Sequence, residues 1–136
     1  MNENLIEVRE YNGNGYKPLV PFEAWLIAML LYAQGLEPQN INSLQRHDIT
    51  DEAFILLAGN CTLILGDGAE DAGNLHFVPM EPLKIYNIKK GVFHSHSLSK
   101  DATVLIVENS NTANENSPTV ELSQAQREQI TQAIHF

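Results

Sequence analysis

The strongest constraint on this chain is a run of short strand-like segments, each closed by a turn signal, from Ile41 to Glu108. Ile41 to His47 alternates, with Ile41, Ser43, Gln45 and His47 on one face and Asn42, Leu44 and Arg46 on the other. Glu52 to Ala58, Cys61 to Leu65, Leu75 to Met80, Leu83 to Ile88, Val92 to Ser97 and Ala102 to Glu108 read as further strands. Between them lie Asp48-Ile49-Thr50-Asp51, Gly59-Asn60, the loop from Gly66 to Gly73, Lys89-Lys90-Gly91 and Ser99-Lys100-Asp101. These are residues that bend the chain or satisfy their own backbone. So many short strands at this spacing predict a mostly β domain, a sandwich or a barrel.

The flanks read differently. Residues 1–20 carry Asn12-Gly13-Asn14-Gly15 and Lys17-Pro18, which predicts a loop-rich lead-in. The apolar segment Trp25 to Tyr32 is open at this level. Leu, Ala and Met favour helix, and Pro21-Phe22-Glu23 can start one, yet no polar residue interrupts Ala24 to Ala33, as in a strand buried on both sides. Asn109 to Pro118 is a polar connector. In the tail, Ser123 with Gln126 three residues on forms a capping box, and Leu122 and Ile130 supply apolar contacts. The expected organisation is a lead-in (1–20), a barrel (21–118) and a helix packed on it (119–136).

A chain of 136 residues is long enough for one domain with its own core. Cys61 is the only cysteine, so no internal disulfide can form, which fits a reducing compartment. It reads as a packed thiol. The N-terminus is acidic and polar, unlike a secretory signal, and the longest apolar stretch is about half of what a bilayer span needs. The expectation is a cytoplasmic protein with no membrane partner. A net charge of −9, with no basic run longer than Lys89-Lys90, argues against nucleic acid. No Gly-x-Ser-x-Gly motif or phosphate-cradling glycine loop is present.

The chemistry-bearing set is His47, Glu52 and His94. His47 ends one strand, and Glu52 opens the next after a four-residue turn. Two imidazoles and a carboxylate on one side of a cavity leave metal positions open, and suit Fe, Mn, Ni or Zn. Sequence spacing does not bring His94 to the other two; only a fold can.

Gln45-Arg46-His47, Glu52 and Gly59 resemble the first motif of the cupins, and Lys89-Lys90-Gly91-Val92-Phe93-His94 resembles the second. The fixed positions matched are His47, Glu52, Gly59, Gly91 and His94. Gln39 and Gln45 stand where the first motif has its leading glycine and first histidine. Leu83, Lys89 and Leu98 replace the second motif's glycine, proline and asparagine. The resemblance spans Ser43 to Glu108. It implies a double-stranded β-helix (jelly-roll) barrel, inward-pointing motif residues and pairing into homodimers, and it favours a strand for Trp25 to Tyr32. It also implies a metal centre at His47, Glu52 and His94, with Gln45 as a weak fourth contact through its amide oxygen.

Three further residues bear on the pocket. His96 lies two residues from His94, on the same face, as a pocket or rim residue. Phe54 shares the face of Glu52 and is expected to line the cavity. His76 reads as surface or pocket wall. Two functional classes follow: a metal-dependent enzyme with isomerase, lyase or oxygenase chemistry on a small polar substrate, or a metal-free cupin that binds a small ligand without catalysis.

Overall fold

The computed structural model describes residues 4–112 and 114–136. Residues 1–3 of the expected lead-in and Ala113 of the connector lie outside them. The described strands are β1 (Gly15–Phe22), β2 (Trp25–Leu31), β3 (Ser43–Gln45), β4 (Glu52–Ala58), β5 (Cys61–Gly66), β6 (Leu75–Pro79), β7 (Ile85–Ile88), β8 (Phe93–Leu98), β9 (Thr103–Asn109) and β10 (Thr119–Glu121). A single α-helix, α1 (Gln124–Ala133), follows them. Two five-stranded antiparallel sheets result: β1-β2-β9-β4-β7, here sheet A, and β10-β3-β8-β5-β6, sheet B. The chain crosses between the sheets repeatedly, giving the mostly β jelly-roll expected. Its two sheets pack face to face rather than closing into one hydrogen-bonded barrel.

The core lies between them. From sheet A come Ala28, Leu30, Phe54, Leu56, Val104 and Ile106; Cys61, Leu63 and Leu98 come from sheet B. Alternation along β4 and β9 sends every second residue inward. Burial pushes the Cys61 thiol up to about 12, as suits a packed rather than reactive sulfur. A second cluster joins Ile41, Leu44, Ile64 and Phe93 to Leu122, Ile130 and Ile134, so the tail covers the outer face of sheet B. The capping box forms as read: the Gln126 N–H donates to Ser123 Oγ at 3.1 Å, and the Ser123 N–H to Gln126 Oε1 at 2.9 Å. Among the described residues, no helix is long and apolar enough to cross a membrane.

Four local expectations are corrected. The lead-in stops at residue 14: Gly15 to Phe22 form a strand paired with β2, and its two prolines are tolerated because β1 is an edge. Residues 119–121 belong to sheet B through β3, ahead of the helix. Leu83, read as a strand residue, takes a left-handed backbone (φ 66) and is exposed. His47 lies beyond β3, which ends at Gln45. The ambiguous segment 25–32 is strand to Leu31, paired on both sides with β1 and β9. Gly59 is required twice over at the β4–β5 turn. Its φ is +70, and a Cβ there would sit 2.6 Å from the Ala102 backbone.

Candidate metal centre between the sheets

The three motif side chains converge although 47 residues separate the first from the last. Glu52 starts β4 in sheet A, and His94 is the second residue of β8 in sheet B. His47 is held past the end of β3 by its backbone: its carbonyl accepts from the Gly91 N–H at 2.8 Å. That bond ties the glycine turn before β8 to the histidine after β3. Asp51 clamps the same turn from the other side, accepting from the Lys90 N–H at 2.8 Å and Asn87 Nδ2 at 3.0 Å. Its role is turn formation.

Glu52 Oε1 lies 3.0 Å from His94 Nε2 and 3.4 Å from His47 Nε2, and one ligand atom from each of the three lies within 4.8 Å of the others. All three are buried. Burial opposes the charge on Glu52. The hydrogen bonds from His47, His94 and Glu108 outweigh it and hold the carboxyl well below its usual range. The bond to Glu52 raises His47, with burial opposing.

The donor set fits a divalent transition metal, and the outer hydrogen bonds show why. His94 Nδ1 is 2.9 Å from the Val92 carbonyl, which only accepts, so Nδ1 carries the proton there. His47 Nδ1 is 2.8 Å from Ser117 Oγ, whose own proton goes to Asn116 Oδ1 at 3.2 Å, so Ser117 accepts as well. Both rings are thereby turned with Nε2 towards Glu52; an Nε2–H there donates to the carboxylate, and a metal would take that proton's place, the arrangement that fixes metal-binding histidines. Ligands at ~2.1 Å from one ion stand about 3.0 Å apart at octahedral and about 3.4 Å at tetrahedral angles. The separations of Glu52 Oε1 from His94 Nε2 and His47 Nε2 lie at these two values.

A cavity of about 520 Å³ opens on this group. Sheet A contributes Tyr16, Glu52, Ile106 and Glu108 to its walls; sheet B contributes Ser43, Gln45, His94, Ser95, His96 and Thr119. His47, Thr112 and Ser117 come from connecting segments. Gln45 faces His94 in register and donates its amide to the Ser117 carbonyl at 3.0 Å. His96 is among the residues lining the cavity, and burial pushes it down to about 4, so it is neutral. Its Nδ1 is shielded from solvent with no hydrogen-bond partner among the described residues. Phe54 is a correction. It is fully buried beneath the site, ring against ring with His94 and His96 at 6.2 and 5.8 Å, and is absent from the lining. His76 pairs with Asp67 at the surface, 3.0 Å away.

Glu108 and Tyr16 are functional-site residues that the sequence reading missed. The β4–β9 register sets Glu108 directly opposite Glu52. Burial, then the hydrogen bond and charge of Glu52, push its carboxyl up to about 8. Tyr16 donates to Glu108 Oε1 at 2.5 Å, and burial followed by that bond raises the phenol above its ordinary value. One signal was visible: Glu108 falls in phase with Val104 and Ile106, the buried row of an otherwise apolar strand.

No protein-family model matches the sequence, and no curated protein matches it. Solved structures do. A cupin-2 domain protein from Shewanella frigidimarina aligns over 73% of this chain and 84% of its own, at 18% identity and a TM-score of 0.53. An RmlC-like cupin with a double-stranded β-helix fold, from Methanocaldococcus jannaschii, aligns over 77% and 91%, at 16% identity and 0.55. The chain has the cupin fold. A variant of Streptomyces PAC13 solved with uridine shares that cupin-like architecture over 85% of this chain and 88% of its own, at 8% identity and 0.58.

Proposed function

We propose that this cupin is a divalent-metal enzyme acting on a small polar molecule, with His47, Glu52 and His94 holding Fe, Mn, Ni or Zn. The supporting observation is that both Nδ1 atoms are occupied by acceptors, leaving both Nε2 atoms beside Glu52 Oε1. Gln45 spends its amide protons on Ser117, so its oxygen is the atom left as a weak fourth contact. Such an ion, when bound, polarises a carbonyl or orients an enediolate, which serves isomerase, lyase or oxygenase chemistry. The Glu108 carboxyl, steadied by Tyr16, lies at the wall where it can exchange a proton with a bound molecule. Calorimetric titration of metal-free protein with Mn(II) and Zn(II) tests the assignment. One site per chain is expected, and it is lost in His47→Ala and in His94→Ala. Absence of binding, or binding unchanged in both variants, rejects it.

One observation favours a second reading, a metal-free ligand-binding cupin. The two imidazoles already satisfy Glu52 as a closed polar cluster. In that case metals leave the melting temperature unchanged while a small ligand raises it.

The outer face of sheet A supports a homodimer. Ile27, Met29 and Leu31 of β2, Ile55 and Leu57 of β4, and Leu105 and Val107 of β9 point away from the core, with Trp25 at the end of the row. Among the described residues no element covers them as α1 covers sheet B, and the one charge in register with these rows is Lys17, opposite Met29. Five strands by about seven residues span roughly 24 Å by 24 Å, close to the ~600 Å² per partner at the lower limit of specific interfaces. A second copy meets no buried carboxylate there. Light scattering is expected to give twice the chain mass, and Met29→Glu to give the single chain; a monomeric wild type rejects the pairing. The lone thiol of Cys61 suits a cytoplasmic setting.

A further inference from the structure

We propose that the cavity is shaped for an uncharged, hydroxyl-rich molecule about the size of a sugar, rather than for an organic acid or a phosphate ester. This rests on the reading that the cavity takes a small polar substrate, and names its class. Three observations carry it.

The first is the distribution of cations. The chain has eight Lys and Arg residues, and none is among the residues lining the cavity. Arg46 is spent on Asp48 and the Phe93 ring, Lys84 on Glu81, and Lys100 borders a separate cavity. A carboxylate or phosphate taken out of water needs a guanidinium or ammonium to hold it. Here the wall carries two carboxyl groups, Glu52 and Glu108, beside the imidazoles of His47, His94 and His96. An ion at the triad adds one positive centre, already faced by Glu52, and leaves the rest of the chamber unchanged.

The second is what the walls offer instead. Ser43, Ser95, Thr112, Thr119 and Tyr16 present hydroxyls, and Gln45 an amide. Groups that both donate and accept suit ligand hydroxyls, which do the same. The third is His96, whose Nδ1 is sealed from solvent with no partner among the described residues, so that Nε2 is the ring nitrogen left to meet a ligand. A ring nitrogen facing the cavity can pair with a ligand hydroxyl as donor or acceptor, a contact worth one hydrogen bond. Size agrees. At the ~30 Å³ that a water molecule occupies, 520 Å³ holds a molecule of about 10–20 non-hydrogen atoms with its waters.

The test is calorimetry on Mn(II)-treated protein with matched pairs: glucose and glucuronate, ribose and ribose 5-phosphate. At least one neutral member should bind, about 10-fold or more tighter than its anion. His96→Phe should weaken it by about 10-fold, the loss expected for one buried hydrogen bond, with metal content unchanged. Thr119→Val, at the cavity rim, gives the same readout if His96→Phe does not fold. Tighter binding of the anionic members overturns the proposal, and so does a failure of every neutral member to bind. Metal content of the same samples separates the two readings. Metal-loaded protein that prefers acids sinks the substrate class alone; metal-free protein that prefers sugars sinks the metal centre alone.

Discussion

The two sheets face one cavity with opposite chemistry. Sheet A sends in oxygen acids: Glu52 from β4, Glu108 from β9 and Tyr16 from β1. Sheet B sends in His94 and His96 from β8 with Gln45 from β3, and His47 follows directly. The 3.0 Å contact between Glu52 and His94 is therefore a join across the domain. Neither sheet alone carries the whole candidate ligand set, so docking the sheets and assembling the candidate site are one event. The same division explains the protonation pattern. Two carboxyls side by side in sheet A cannot both ionise easily, and the imidazoles opposite select Glu52 as the charged one.

Breaking the join from the imidazole side has the largest expected effect. His94→Ala removes the 3.0 Å partner of the buried Glu52 and leaves it the 3.4 Å contact to His47 and the bond from Glu108. Removing one partner of a buried pair costs about 3 kcal/mol, which chemical denaturation of the metal-free protein measures. A loss under about 1 kcal/mol would mean that the contact contributes little to docking the sheets.

Next comes the reverse operation, strengthening the join. Mn(II) or Zn(II) at 100 times its dissociation constant should stabilise the wild type by about 2.7 kcal/mol, and His94→Ala not at all. Thermal unfolding with and without metal reads this. Ser117→Ala is a finer probe, since it removes none of the three candidate ligands but frees His47 Nδ1. Loss of such an outer partner lowers metal affinity about 10- to 100-fold, and titration calorimetry checks it. An unchanged affinity would show that the ring is oriented by packing alone.

The smallest effect lies within sheet A. Glu108 has its folded pKa raised from 4.5 to about 8, so the folded state holds that proton more tightly than the unfolded one. Its contribution is favourable at low pH and is lost as pH rises from about 4.5 to about 8. Glu52, held low, contributes in the opposite sense, complete above its ordinary range. Glu108→Gln removes the titration, so metal-free Glu108→Gln should gain on wild type across that window, by a few degrees in melting temperature. A difference that is flat with pH would remove Glu108 from the account.

What the sequence revealed divides along the same line. His47, Glu52 and His94 stand in spaced motifs around short turns, and local spacing is readable because turn chemistry is local. Glu108 and Tyr16 depend on register. Glu108 reaches Glu52 only through the β4–β9 pairing, and Tyr16 reaches Glu108 only because β1 adds to the edge of sheet A. Such long-range pairings leave little local trace. Phe54 was misplaced for a related reason. Alternation gives its face correctly but not its depth, and it lies under the histidines instead of beside the substrate space. The β strand at 25–31 escaped a firm reading because both its faces are apolar, one filling the core and the other forming the bare face of sheet A.

Anomalous diffraction from crystals grown with Mn(II) tests the central claim most directly. A single peak in contact with His47 Nε2, His94 Nε2 and Glu52 Oε1 is the predicted result. No peak between these atoms, or a peak elsewhere on the molecule, would contradict it.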